Sequence, residues 1–311
     1  MVWIIIGGII GAPVLAALVV WVTGERGRLL RRTTRVVLRE SGIESVFNLR
    51  AIHMYVYGRW TAKYISVLRY SIYPYLGERG KKWLRERYHA KVLRQEDAES
   101  IIMLNKDVPL QDLEKVIPYP IARQIVLDGP PDVVAYECGC RNSKPVHCEP
   151  SQVCMVIGKP FTDFMLEHMP DSTRRLTQEE AITLLREEHE RGHMHTAWFK
   201  DACIDRFYSI CNCCKCCCFG IESMKRYGNP CIASSGYVAQ IDENLCTVCG
   251  ACIEACPFDA LSIAGEKIVM DWEKCMGCGV CEAVCPTGAR TMVADERKGI
   301  PLDVTVLTGG K

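Results

Sequence analysis

Two stretches near the carboxyl end of this 311-residue chain repeat the same spacing of cysteines. Each stretch reads C-x2-C-x2-C-x3-C and is followed at once by a proline, Pro257 in the first and Pro286 in the second. The cysteines are Cys246, Cys249, Cys252 and Cys256, then Cys275, Cys278, Cys281 and Cys285. The flanking residues of the two stretches also align, which predicts an internal repeat with pseudo-twofold symmetry.

This spacing is the one that holds [4Fe-4S] clusters, in which each iron needs one thiolate. A tight loop brings three cysteines to one cluster, and the fourth crosses to the neighbouring cluster. We therefore assign Cys246, Cys249, Cys252 and Cys285 to one cluster, and Cys275, Cys278, Cys281 and Cys256 to the other. Zinc is disfavoured because four thiols in one run with the same proline occur twice. No C-x-x-C is followed by histidine, so covalent haem is excluded.

Residues 236 to 294 resemble the bacterial two-[4Fe-4S] ferredoxin domain, on the strength of the two cysteine runs and their prolines. The resemblance implies a small α+β domain that passes single electrons at low potential.

Twelve of the 20 cysteines lie upstream of this region. In a reducing compartment disulfides do not persist, so we expect metal ligands. The candidates are Cys138, Cys140, Cys148, Cys154, Cys211, Cys213, Cys214, Cys216, Cys217 and Cys218. Neighbouring residues point apart, so Cys213 and Cys214 are better placed to face different metals. The roles of Cys203 and Cys231 stay open.

Residues 133 to 294 resemble a set of cysteine-rich 4Fe-4S dicluster proteins of anaerobes, in which ECxCR and ICNCCxCCC segments precede the ferredoxin domain. The resemblance implies one or two further Fe–S clusters in addition to the two [4Fe-4S] clusters. A structural zinc site, a copper or heavy-metal thiolate cluster and free thiols are the alternatives.

Charged and titratable side chains accompany these thiols. Arg141, Lys144 and Lys215 could raise a cluster potential or could be ordinary solvated charges. His193 and His195 could be ligands or proton donors, although surface or packing roles are more common for such histidines.

Residues 2 to 22 form an uncharged stretch of 21 residues, which is long enough for a transmembrane helix. Arginines follow it directly, so we expect a single-pass protein of the inner (cytoplasmic) membrane with its body on the cytoplasmic side. A cleaved signal peptide and a buried core helix are the alternatives.

Residues 25 to 95 carry 17 Lys or Arg against five Asp or Glu, whereas the rest of the chain carries 21 against 32. The basic stretch suits anionic headgroups, and no motif of a nucleic-acid-binding protein accompanies it. Residues 55 to 77 fit an interfacial helix or a helix packed on the body. Helices are predicted over 78 to 127 and 178 to 191, and a strand over 133 to 140.

The predicted fold is α+β, with five parts: a transmembrane anchor (1 to 24), a basic, mainly helical segment (25 to 130), a cysteine-rich metal-binding module (131 to 235), a dicluster ferredoxin domain (236 to 295) and a tail (296 to 311).

We expect a membrane-anchored iron–sulfur protein that passes single electrons between redox protein partners and binds no nucleic acid. The alternatives are an Fe–S oxidoreductase with its active site at an upstream cluster, and a metal-handling or redox-sensing protein. The sequence contains no P-loop, no nucleotide-binding glycine motif and no clear nucleophile with its base, which favours a carrier or an electron-transfer subunit over a self-contained enzyme.

Overall fold

The computed structural model describes Leu15, Val19 and residues 22–47, 49–104, 131–204 and 206–302. The predicted membrane helix lies almost wholly outside these residues. Among them, no helix is long and apolar enough to cross a bilayer. The longest, Gln178–Glu190, has 13 residues and is about 20 Å long, against about 30 Å of hydrocarbon. The predicted transmembrane helix and single-pass membrane location are therefore wrong for the part of the chain that the structure describes.

The amino-terminal part of the described chain is a layer of short helices. These are α1 (Arg32–Ser41), α2 (Ile43–Phe47), α3 (Arg50–Arg59), α4 (Thr61–Val67), a π-turn (Leu68–Ile72), a 3-10 turn (Tyr73–Tyr75) and α5 (Glu78–Arg87). Met54, Tyr57 and Ile65 are at most 5% exposed, so α3 and α4 pack on the body of the protein. Of the two interpretations of residues 55 to 77, the packed helix is the one that agrees with this burial.

A seven-stranded sheet forms the centre of the molecule, in the order β4-β2-β3-β6-β5-β1-β7. Its strands are β1 (Tyr88–Leu93), β2 (Val133–Tyr136), β3 (Cys154–Ile157), β4 (Thr173–Leu176), β5 (Met194–Lys200), β6 (Arg206–Cys213) and β7 (Ile232–Ala233). All neighbours are antiparallel except β1 and β7. The strand predicted over residues 133 to 140 is confirmed only for its first half, since β2 ends at Tyr136 and a short helix begins at Gly139.

The helix predicted over residues 78 to 127 is wrong for residues 88 to 93, which form the strand β1. α5 ends at Arg87 and β1 follows at once, before α6 (Gln95–Ile102); residues 105 to 127 lie outside the described residues. β1 pairs with β5 on one side and β7 on the other. The long-range pairing of β1 overrides the helical spacing of the apolar residues in this segment.

The two faces of the sheet carry different side chains because successive residues of a strand point to opposite faces. One face bears Cys154, Trp198 and Tyr208 and is covered by the amino-terminal helices. The other bears Met155, Phe199 and similar apolar residues and is covered by α6 and by α9 (Gln178–Glu190). The remaining helices are α7 (Gly139–Asn142), α8 (Phe161–His168) and α10 (Phe219–Tyr227).

The helix predicted over 178 to 191 is confirmed as α9. The Thr177 hydroxyl accepts a hydrogen bond from the Glu180 N–H, and the Glu180 carboxylate accepts one from the Thr177 N–H. Gly192 follows with φ +77°, which ends the helix in a conformation that glycine adopts at little cost.

Two β-ribbons and two short helices form the carboxyl-terminal region. β8 (Tyr237–Ile241) pairs with β11 (Arg290–Ala294), and β9 (Leu261–Ala264) pairs with β10 (Lys267–Met270). α11 (Ala251–Ala255) and α12 (Val280–Ala283) occupy equivalent places in the two halves, as the repeat predicts. A 3-10 turn (Glu296–Lys298) follows β11.

Loss of the Thr177 cap should destabilise α9. We expect Thr177→Ala to lower the free energy of unfolding by about 1 kcal/mol, because one N-terminal N–H loses its acceptor. Thr177→Ser keeps the hydroxyl and should lower it by much less. Anaerobic urea unfolding measures both, and equal losses in the two variants would contradict the capping role.

Candidate metal centres

Four of the repeated cysteines line one cavity in the carboxyl-terminal region. They are Cys256, Cys275, Cys278 and Cys281, the set assigned to the second cluster. The Ala260 N–H donates to the Cys256 sulfur at 3.3 Å and the Ala239 N–H to the Cys275 sulfur at 3.5 Å. Such bonds stabilise thiolates, and the rest of the wall is largely apolar, so the donor set fits a [4Fe-4S] cluster.

The cysteines assigned to the first cluster lie nearer the surface. Cys249 is exposed, Cys246 and Cys285 are partly buried, and Cys252 is buried. The buried Arg290 guanidinium donates to the Cys252 sulfur at 3.6 Å, and the Val248 N–H donates to Cys246 at 3.4 Å. A guanidinium beside a ligand sulfur favours the reduced state of a cluster.

Seven upstream cysteines line a second cavity. Six of them give it the name six-thiol cavity: Cys138, Cys140, Cys154, Cys211, Cys213 and Cys218. The seventh, Cys214, also belongs to another group of thiols that is described below. Cys138 and Cys140 come from the start of α7, Cys154 begins β3, and Cys211 and Cys213 lie at the end of β6. β3 and β6 are hydrogen-bonded neighbours, so the sheet brings together thiols that are far apart in sequence.

Aromatic and hydroxyl groups complete the wall of this cavity. Tyr57, Tyr88, Tyr136 and Trp198 line it. The hydroxyls of Tyr57 and Tyr208 are 2.7 Å apart, and the Thr196 hydroxyl lies 3.3 Å from the Cys213 sulfur. The lining of the cavity is therefore largely apolar, and its polar groups are the tyrosine hydroxyls, Thr61 and Asn212.

Contact with neighbouring thiols raises the pKa values of two thiols of the six-thiol cavity, Cys138 and Cys154. Contact with the Cys140 thiol, together with burial, raises the pKa of Cys138 to about 12. Contact with Cys138 and Cys211, together with burial, raises the pKa of Cys154 well above its usual range. A metal centre held here must therefore displace thiol protons when it binds, and it supplies the positive charge that keeps the thiolates together.

Four other thiols converge outside this cavity and form what we call the four-thiol cluster. The sulfurs of Cys148, Cys214, Cys216 and Cys217 all lie within 4.8 Å of one another. Cys214 also borders the six-thiol cavity. The run of six cysteines from 211 to 218 thus supplies thiols to both groups. The adjacent Cys216 and Cys217 belong to the same group, and only Cys214 of the pair Cys213 and Cys214 belongs to the four-thiol cluster.

A buried ion pair lies next to the thiols. The Arg141 guanidinium donates to the Glu188 carboxylate at 2.8 Å, and neither side chain is exposed. His193 Nδ1 lies 2.7 Å from the same carboxylate. Burial opposes ionisation of Glu188, but the hydrogen bonds with His193 and Arg141 hold its pKa below its usual value. Arg141 is therefore a buried, paired cation, and His193 packs against it with its Nδ1 directed to Glu188.

His195 has a packing role within the sheet. Its Nδ1 lies 2.6 Å from the Asn212 amide oxygen, and the Asn212 amide donates to the Val153 carbonyl at 2.7 Å. Burial lowers the pKa of His195 to about 4, so the ring is neutral at physiological pH. The described structure directs neither His193 nor His195 at a cysteine sulfur.

Arg69 contacts the backbone of both the six-thiol cavity and the four-thiol cluster, a role that the sequence did not indicate. Its side chain is 1% exposed and forms a 3.0 Å ion pair with Glu222. The guanidinium donates to the Cys140 carbonyl at 3.2 Å and to the Cys217 carbonyl at 2.6 Å. In sequence it lies among aromatic residues about 70 positions before the first of these cysteines, so only the folded chain reveals the contact.

The cysteine run also contacts the carboxyl-terminal region. Lys215, between Cys214 and Cys216, pairs with Asp259 at 3.1 Å and donates to the Glu254 carbonyl at 3.2 Å. Lys144 instead donates to the Cys216 carbonyl at 2.5 Å. Two upstream cysteines remain. Cys203 lines none of the three cavities, and Cys231 lines a third cavity, which lies beside the six-thiol cavity.

Comparison with known families identifies the carboxyl-terminal region. Residues 239–286 match the family model of the 4Fe-4S dicluster domain. No curated protein matches the chain at a significant level. The ferredoxin-type 4Fe-4S region is thus established, whereas the number of clusters and the ligand sets stay predictions.

Replacement of a glycine by alanine should be tolerated better at Gly250, in the first cysteine loop, than at Gly277, in the second. Gly277 and Gly250 both have positive φ, +63° and +81°. A Cβ at Gly277 would collide with the Tyr237 carbonyl, whereas one at Gly250 would meet nothing within 4 Å. We expect Gly250→Ala to cost about 1–2 kcal/mol from backbone strain alone. Gly277→Ala should cost more and reduce the iron content. Anaerobic unfolding and iron analysis test this, and equal effects would contradict it.

Removal of Arg141 should destabilise the protein strongly. Arg141→Gln removes one of the two cations on the buried Glu188 carboxylate and leaves Arg191, whose guanidinium lies 2.7 Å from the other carboxylate oxygen. We therefore expect a loss of about 1.5–3 kcal/mol in urea unfolding, the range for a hydrogen bond to a charged group. Arg186→Gln breaks an exposed pair with Glu99 of similar length, 2.9 Å, and should cost at most about 1 kcal/mol. A loss in Arg141→Gln no larger than that in Arg186→Gln would contradict the stabilising role of Arg141 and show that Arg191 alone compensates Glu188.

Proposed function

We propose that this protein is an iron–sulfur electron-transfer protein in which a dicluster ferredoxin domain is coupled to a further Fe–S centre held in the six-thiol cavity. The observation that carries the proposal is the convergence of six thiols on one cavity next to a 4Fe-4S dicluster domain. When bound, the clusters supply single-electron chemistry at low potential.

The dicluster part rests on two ligand sets. Cys246, Cys249, Cys252 and Cys285 are the proposed ligands of the first cluster, and Cys275, Cys278, Cys281 and Cys256 those of the second. The shared cavity of the second set and the backbone N–H donors on its sulfurs support this assignment. Arg290 positions Cys252 and adds positive charge beside its sulfur.

The upstream part rests on the chemistry of the six-thiol cavity. Sulfur is the ligand atom of iron–sulfur clusters, and the six thiols face one another in a largely apolar cavity. Apolar surroundings exclude water and favour low potentials, while the buried Arg141, which interacts electrostatically with Cys214 and Cys138, opposes that effect.

Contacts between the two regions support electron transfer from one to the other. Lys215 connects the cysteine run to Asp259, three residues after Cys256. α9 packs against the loop before α12, since a Cβ at Gly279 would lie 3.7 Å from the His189 ring. We propose a redox protein as the external partner, and the net acidic charge outside residues 25 to 95 suits a basic docking surface on it.

A third cavity, the one that Cys231 lines, favours an alternative function. This function is that of an Fe–S oxidoreductase with its active site at the upstream thiols. This cavity shares Cys140, Tyr88 and Trp198 with the six-thiol cavity. It is lined mostly by apolar and aromatic side chains, and its polar residues include Arg85, Ser223 and Asn229. A small substrate bound there would lie beside Cys140, and catalytic oxidation of the reduced protein by such a compound would favour the enzyme over the carrier.

Metal analysis of anaerobically purified protein tests the proposal. We expect more than about eight irons per chain, and a signal in the EPR spectrum of the reduced protein beyond that of the dicluster pair. The double variant Cys138→Ser/Cys154→Ser should lose only the additional iron and signal, because these thiols belong to the six-thiol cavity alone.

Cys203→Ser is the control, since this buried thiol lies outside all three cavities. It should keep the full iron content. About eight irons in the wild type, unchanged in the double variant, would refute the upstream Fe–S centre and leave a two-cluster carrier.

A further inference from the structure

The four-thiol cluster has the dimensions of a site for one metal ion. Its sulfurs lie within 4.8 Å of one another, with 3.4 Å between Cys216 and Cys217 and 4.0 Å between Cys217 and Cys148. A tetrahedral ion with bonds of about 2.3 Å to sulfur sets its sulfurs about 3.8 Å apart. In a four-iron cube each thiolate binds a different iron, so the sulfurs cannot converge on a single point.

The backbone around these thiols is fixed from two sides. The Cys218 N–H donates to the Cys214 carbonyl at 3.2 Å, which closes a tight turn around Cys216 and Cys217. Arg69 holds the Cys217 carbonyl, and Lys144 holds the Cys216 carbonyl. Cys148 arrives from the loop between α7 and β3. Two segments that also supply thiols to the six-thiol cavity therefore meet at this cluster.

We propose that Cys148, Cys214, Cys216 and Cys217 bind one Zn²⁺ ion in a closed, structural site, separate from every iron–sulfur centre of the protein. Four thiolates around one ion are the donor set of structural zinc, and they leave no position for a substrate. The ion would fasten the loop of Cys148 to the turn of residues 214 to 217. This site goes beyond the proposed function, which concerns iron alone.

The zinc site would act on the neighbouring cavity through the chain. Cys213 and Cys218 of the six-thiol cavity flank Cys214, Cys216 and Cys217 directly. Fixing the turn therefore limits the positions of two cavity thiols. Without the ion, the sulfurs of Cys148 and the exposed Cys216, which are 2.7 Å apart, lie close enough to form a disulfide when a two-electron oxidant such as dioxygen removes two electrons and two protons from the thiols.

Zinc and iron analysis of the variant Cys148→Ser/Cys216→Ser tests the site. We expect about one zinc per chain in the wild type and loss of that zinc in the variant. Cys203→Ser is the matched cysteine control and should keep the zinc. The EPR signal of the reduced dicluster should persist in both variants, which shows that they are folded.

X-ray absorption at the zinc edge gives a second readout. Four sulfurs at about 2.3 Å would support the closed site, whereas nitrogen or oxygen neighbours would overturn it. Wild-type protein without zinc, or a variant that loses iron in place of zinc, would equally overturn it. Each of these results leaves the iron count and EPR test of the proposed function intact, so the two proposals fail independently.

Discussion

The antiparallel pairing of β6 with both β3 and β5 is the constraint on which the arrangement of the upstream thiols depends. It sets Cys154 beside the end of β6, where Cys211 and Cys213 lie. Because the strand period is two, Cys211 and Cys213 emerge on the same face, the face that the amino-terminal helices cover. Cys138 and Cys140 reach this face because β2 is the other neighbour of β3. Without that register the thiols would belong to separate loops.

Buried arginines give this thiol-rich region its electrostatic balance. Arg141 and Arg69 are both fully buried, and each is paired with a carboxylate, Glu188 and Glu222 respectively. The carboxylates compensate the two buried guanidinium charges, which would otherwise be costly to remove from water. Arg69 also donates to one backbone carbonyl of the six-thiol cavity, that of Cys140, and to one of the four-thiol cluster, that of Cys217. The same side chain therefore adds positive charge and positions the backbone.

The parts of the structure that depend on short-range signals could be predicted from the sequence. The cysteine spacing identified the dicluster region, and Thr177 with Glu180 identified the start of α9. The division of the ten upstream cysteines into six and four could not be predicted, because it depends on strand pairing across the sheet. Likewise, β1 and Arg69 obtain their roles from partners more than 70 residues away, which no local pattern records. The apolar run of residues 2 to 22 satisfied a length and hydropathy criterion that no helix in the described structure meets.

The turn of residues 213 to 218 has a consequence for how this chain can vary. Its thiols divide between two sites: Cys213 and Cys218 at its ends line the six-thiol cavity, and Cys214, Cys216 and Cys217 between them belong to the four-thiol cluster, with Cys214 also bordering the cavity. A single-residue insertion or deletion in this turn would therefore displace thiols of both sites at once. The number of residues in the turn is therefore more tightly restricted than the identity of Lys215, the one position among them that is not a cysteine.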